Sequence, residues 1–129
     1  MAVGRMSTPL ARVRGLGAAR SGTEQFWRQR LTAVANVPLT IAFVLIVVAL
    51  LGRNHAAVTQ ILGSPLVAVI LLLFILSITV HMRIGMQVII EDYVHDEGTK
   101  LVLLMANTFF AIAAGLASAF ALLMLSFKV

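Results

Sequence analysis

The chain has 129 residues, of which 60% are hydrophobic and only 12% charged, and it contains no cysteine. That composition, with a mean hydropathy of +1.02, leaves too little polar surface to coat a water-soluble globule, which is normally about a quarter charged. It points to an integral membrane protein and excludes disulfides, iron–sulfur clusters held by thiolates and cysteine-based zinc sites. The formal net charge is +5, and six of the ten Lys/Arg residues precede Leu31. Beside a membrane span such an arm reads as a topology signal and not as a nucleic-acid contact.

Residues 1–30 form this basic arm, rich in Gly, Ala, Ser and Arg, and its first part has the composition of a mobile segment. Phe26 and Trp27 stand where an interfacial aromatic anchor is expected. The first apolar segment, residues 31–51, exceeds the roughly 7–15 residues of a signal-peptide core and is followed by no small-residue cleavage pattern, so it is expected to remain as a spanning helix. Asn36 and Pro38 early in it predict a mild kink. A polar connection, residues 52–64, leads to a second segment over 65–90, and the acidic connection "EDYVHDEGTK" leads to a third over 101–127. A spanning helix needs roughly 20 apolar residues, so the expected architecture is an all-α membrane protein of three transmembrane helices running up, down and up. The arginine bias places the N-terminus in the cytoplasm, the 52–64 connection outside and the 91–100 connection inside. On the third segment Ala111, Gly115 and Ala119 recur every four residues, a spacing that lets another helix approach, and Asn107 is expected to bond across a helix interface.

The second segment carries the chemistry. Its "HMRIGMQVIIEDYV" places His81 and Arg83 inside an apolar run that ends on Glu91, Asp92 and Tyr93. On a helical wheel Ser77, Gly85, Val88 and Asp92 fall within about 40° of His81 on either side, a stripe of small or polar residues bounded by large aliphatic ones. Lipid satisfies no polar group, so this stripe should face protein or a cofactor. Imidazole is a common axial ligand of haem iron, and Gly85, one turn on, leaves room for a flat ligand. A single intramembrane histidine also serves as an interhelical hydrogen-bond partner or a proton-relay element. His55 and His95 lie in the connections, so a second axial ligand to a haem on His81 would come from another chain. Arg83 faces a different side, toward the interface, a lipid phosphate or a haem carboxylate. "EDY" by itself is compatible with an ordinary helix exit bearing an interfacial tyrosine.

Read as H-x-x-x-G-x₆-D-Y-V-H, residues 81–95 resemble the second membrane helix of the hydrophobic anchor (D-type) subunit of bacterial succinate dehydrogenase, respiratory complex II, and "SGTEQFWRQRLTAVANVPL" is similar to the segment leading into that family's first helix. The resemblance covers about residues 21–127. It implies that the helices join a larger bundle with a companion cytochrome b556 subunit, and that His81 supplies one axial ligand to haem b while that subunit supplies the other. It further implies that Tyr93 hydrogen-bonds a carbonyl of ubiquinone beside Asp92. Arg30 would stand near the haem propionates and the quinone pocket; Arg83, outside the matched motif, is placed in the propionate vicinity only by its nearness to His81 in the sequence. The expected setting is a multi-pass protein of the bacterial cytoplasmic membrane, partnered by the iron–sulfur and flavoprotein subunits and by lipid, with no nucleic acid. Flavin and clusters would reside in those partners, so the chain is part of an enzyme and not catalytic alone. Arg83 and the first twenty residues have no counterpart in the family pattern. The anchor of a fumarate reductase and a small proton-coupled transporter are the alternative readings.

Overall fold

In a computed structural model, residues 8–15 and 19–127 are described, and among them the chain forms five helices and no strand. They are α1 (Pro9–Val13), α2 (Ala19–Leu50), α3 (His55–Leu62), α4 (Pro65–Tyr93) and α5 (Glu97–Phe127). Three of them, α2, α4 and α5, are long and apolar enough to cross a membrane, and the chain is a multi-pass membrane protein. The expected mobility of the arm's first part falls chiefly on residues 1–7 and 16–18, which lie outside the described residues.

Helix α2 begins twelve residues before the apolar run that starts at Leu31. Local pairs explain the extension: Arg28 bridges Glu24 one turn back, and the Arg30 guanidinium lies 4.7 Å from the centre of the Phe26 ring. Such i,i+4 contacts support helix in water, where hydropathy sees a mostly polar stretch. At 32 residues and about 1.5 Å per residue, α2 is about 48 Å long, so one end extends beyond a hydrocarbon layer of about 30 Å. It runs through Pro38 as a single helix.

Between α2 and α4 the chain turns at Gly52, whose φ of 71° suits a residue without a Cβ. Asn54 then caps α3, its side-chain oxygen accepting the Ala57 amide at 2.9 Å. This short helix was not expected from the turn-like composition of residues 52–64. It folds back onto the bundle: Ser126 Oγ donates to the Leu62 carbonyl at 2.8 Å, and Leu62, Leu71 and Leu122 form a buried cluster against Ile46, Leu50 and Val58. Pro65 starts α4 at a position where its missing amide costs nothing. At the opposite end Asp96 opens α5 by accepting both the Thr99 amide (2.8 Å) and the Thr99 hydroxyl (2.6 Å). Those bonds, the hydroxyl's first, hold its carboxyl below the ordinary carboxylate range.

The order in space is α2–α4–α5, with α4 central and contacting both neighbours. Phe43 and Phe74 stack at 4.8 Å across the α2–α4 seam. Across the α4–α5 seam Asn107 Nδ2 donates to the Arg83 carbonyl at 3.0 Å, the interhelical bond expected of it. The small-residue stripe on α5 is occupied by α4 itself: Ala111 is 1% exposed, and a Cβ on Gly115 would come within 3.1 Å of Thr79 Cγ2. Lipid tails are as apolar as leucine, so this close approach and its dispersion contacts hold the helices together. Gly115→Leu is therefore expected to force α4 and α5 apart at a cost of about 1–3 kcal/mol, the usual range for overpacking. A thermal melt of the purified assembly checks it, and an unchanged midpoint would contradict the close packing.

Candidate functional site

The polar stripe of α4 meets a matching stripe on α2. Gln29, Thr32 and Asn36 are spaced by three and four residues, so they share one face of α2. Thr32 Oγ1 lies 3.1 Å from His81 Nδ1. Ser77 Oγ donates to the Thr32 carbonyl at 3.4 Å. Gln29 approaches Gly85: a Cβ built there would find only Gln29 Nε2, at 3.7 Å, and otherwise open space. Side-chain oxygens of Gln29 and Asn36 are buried on this seam without a hydrogen-bond donor. An unpaired buried acceptor costs about 1–3 kcal/mol, which invites a donor from a further molecule.

Thr32 is the hydrogen-bond partner of the His81 ring. The Thr32 hydroxyl also reaches the Arg28 carbonyl at 2.9 Å and the Gln29 carbonyl at 3.1 Å. With its proton on one of these carbonyls, the Thr32 oxygen accepts from His81 Nδ1–H; with the proton turned to the ring, Nδ1 accepts instead, so the direction follows the tautomer. The first arrangement leaves the lone pair of the neutral imidazole on Nε2. A histidine that donates through one nitrogen to a fixed oxygen and offers the other is the usual state of a metal ligand. His81 is half-buried, and among the described residues no three metal-binding side chains gather. One imidazole nitrogen and the open space at Gly85 are what these residues could offer a bound group.

Toward the α4–α5 turn a groove of about 600 Å³ opens between the start of α2 and the end of α4, lined by Gln25, Phe26, Gln29, Arg30, Ala33, Ile84, Val88 and Glu91. The Glu91 carboxylate accepts from Gln87 Nε2 at 2.8 Å. Arg30 thus shares this groove with Glu91 and Gln29. Asp92 and Tyr93 are at the same end of α4 but outside the lining, both exposed, with Tyr93 at 78%. Arg83 is separated from His81: it faces α5, where its Nε donates to Thr108 Oγ1 at 3.4 Å, while His81 faces α2. Of the residues singled out in the sequence, the structure brings His81 and Arg30 to the α2–α4 side, leaves Asp92 and Tyr93 open to a neighbour, and turns Arg83 away. Thr32 and Gln29 were missed. The signal for them was present as three polar residues at helical spacing across the start of an apolar run.

Comparison with known proteins gives a consistent picture. Residues 4–115 match the family described as succinate dehydrogenase/fumarate reductase transmembrane subunit. The succinate dehydrogenase hydrophobic membrane anchor subunit of Paracoccus denitrificans is 31% identical over 118 residues, covering 92% of this chain and 91% of the relative. The succinate dehydrogenase membrane anchor subunit of Reclinomonas americana is 34% identical over 86 residues, 64% of this chain and 72% of the relative. That of Rickettsia bellii (strain RML369-C) is 26% identical over 103 residues, 80% and 82% of the two chains. No solved structure matches the chain. With three spanning helices, a histidine-bearing polar seam and a family match across most of its length, the chain belongs to the transmembrane subunits of succinate dehydrogenase and fumarate reductase, as a hydrophobic membrane anchor.

Proposed function

We propose that this anchor supplies one axial ligand, His81, to a haem b shared with a cytochrome b556 subunit, and forms one wall of the site where succinate dehydrogenase reduces ubiquinone. The observation that supports the reading is the Thr32–His81 contact: with Nδ1–H donating to Thr32, Nε2 of His81 is the nitrogen free to ligate. When bound, haem b supplies a one-electron redox centre inside the membrane. His81 would hold it, Gly85 would leave it space, and Arg30, a cation at the groove, would pair a propionate. A second ligand would have to come from the companion chain, since His55 opens α3 at the far end and His95 follows α4. The reading places the protein in the bacterial cytoplasmic membrane with its N-terminus inside. The α4–α5 turn then faces the iron–sulfur subunit, which passes on electrons from the flavoprotein subunit.

Ubiquinone reduction takes two electrons and two protons to give ubiquinol. Tyr93 lies twelve residues beyond His81, or about 18 Å along α4, at the end where those electrons arrive. Its hydroxyl donates to a quinone carbonyl and stabilises the negative charge that develops there. Asp92 and Glu91, at the wet end of the helix, deliver protons to the reduced oxygens. Whether the complex runs toward succinate oxidation or fumarate reduction is set by the quinone potential and the soluble subunits, not by this chain.

Thr32 provides the test. In Thr32→Val the shape is kept and the acceptor for His81 Nδ1–H is lost. Removing such an outer partner typically weakens metal binding 10–100-fold. The purified complex is expected to lose haem on dilution and to show a shifted haem midpoint potential, with Thr32→Ser restoring both. An unchanged potential and occupancy in Thr32→Val would overturn the proposal.

A further inference from the structure

Arg83 is a charged side chain ten residues from the end of α4, about 15 Å along the helix, and nothing in the α2–α4 seam uses it. The sequence holds five acidic residues, Glu24, Glu91, Asp92, Asp96 and Glu97. Among the described residues the ion pairs are Glu24 with Arg28 and Glu97 with Lys100. The Arg83 cation therefore has no carboxylate partner, and its single side-chain bond, from Nε to Thr108, leaves the two terminal nitrogens of the fork without a protein acceptor among the described residues. A cation at this depth needs an anion or a path to the interface.

Arg83 heads a groove of about 690 Å³ between α4 and α5, on the side of α4 turned away from His81. The groove reaches Leu72, eleven residues from Arg83, or about 16 Å. Leu76 and Leu116 stand up as its rims, 63% and 67% exposed. Its floor is the contact of Gly115 with Thr79. With α4 already on the small-residue face of α5, a further helix of about 10–12 Å diameter would rest on the leucine rims, whereas a single hydrocarbon chain is narrow enough to enter between them. The guanidinium fork matches a phosphate in shape and charge, and cationic pockets between membrane helices hold anionic headgroups.

We infer that this groove binds an anionic phospholipid, its phosphate on Arg83 and one acyl chain running toward Leu72. The orientation above makes it a lipid of the cytoplasmic leaflet; the site itself is independent of the haem and quinone readings. The test uses the intact purified complex, returned to bilayers of phosphatidylcholine with or without phosphatidylglycerol, followed by detergent washing, counting of retained lipid by native mass spectrometry, and thermal melts. The wild type should retain phosphatidylglycerol and melt higher in its presence. Arg83→Gln should lose both effects and Arg83→Lys should keep part of them. Leu116→Trp, which fills the groove with Arg83 intact, should also release the lipid, and it decides the matter if Arg83→Gln does not assemble. Retention of phosphatidylglycerol by Arg83→Gln or by Leu116→Trp overturns the inference. So does an Arg83→Gln complex that sheds a partner subunit or its haem while its lipid is unchanged, since a protein carboxylate or a haem carboxylate would then be the anion. The absorption spectrum, read on the same samples, reports separately on the haem.

Discussion

His81→Ala is expected to abolish or reshape the reduced-minus-oxidised b-type spectrum of the purified complex. The side chain is the one imidazole within the spans of this chain, half-buried against α2, with Nδ1 in contact with Thr32, so that Nε2 is the nitrogen a ligated group would use. Alanine removes the donor and leaves a hole where the ring stood. Because loss of an outer-shell partner alone costs 10–100-fold in metal affinity, loss of the ligand itself should exceed about 100-fold. Haem content per complex, taken from the pyridine haemochrome, measures it directly. A full complement of b-type haem with an unaltered spectrum in His81→Ala would remove the basis of the proposed function.

Tyr93→Phe should lower quinone reduction by about 100-fold in kcat, the typical loss when one donor to a developing oxyanion is removed. Reduction of an artificial dye at the soluble subunits should continue at the wild-type rate. The two assays separate a fault at the quinone from a fault in assembly. Tyr93 is 78% exposed in this chain alone, at the last residue of α4, so its hydroxyl is open to a ligand or a partner subunit. Phenylalanine keeps the ring and deletes only the hydrogen bond. If the tyrosine serves merely as an interfacial anchor, the substitution leaves quinone reduction intact, and that result would sink its assignment to the quinone.

The spans were legible in the sequence because burial in lipid demands about 20 apolar residues in a row, and no soluble fold makes that demand. Their ends were less legible. Hydropathy stops at Leu31, Ile90 and Leu101, while α2 starts at Ala19, α4 continues to Tyr93 and α5 starts at Glu97. A helix does not end where it leaves the membrane; it ends where capping and side-chain pairs no longer support it, as Glu24–Arg28 and Asp96–Thr99 do here. Helix α3 escaped notice for a related reason. Its eight residues are too few to be stable alone and are held by Leu62, Leu122 and Ser126, contacts that no local pattern announces.

The sequence by itself determined that the chain spans a membrane three times and that His81 must face something other than lipid, since an imidazole in hydrocarbon needs a partner. It also set the turning of Arg83 away from that histidine, because residues two apart point to opposite sides of a helix. Only the tertiary structure decided which partners those side chains meet. Thr32 is 49 positions from His81 and Thr108 is 25 from Arg83, separations over which periodicity carries no information. The small residues of α5 show the same division: their spacing foretold a close helix neighbour, but the packing of α4 against Gly115 made that neighbour part of the same chain and left the adjoining groove open.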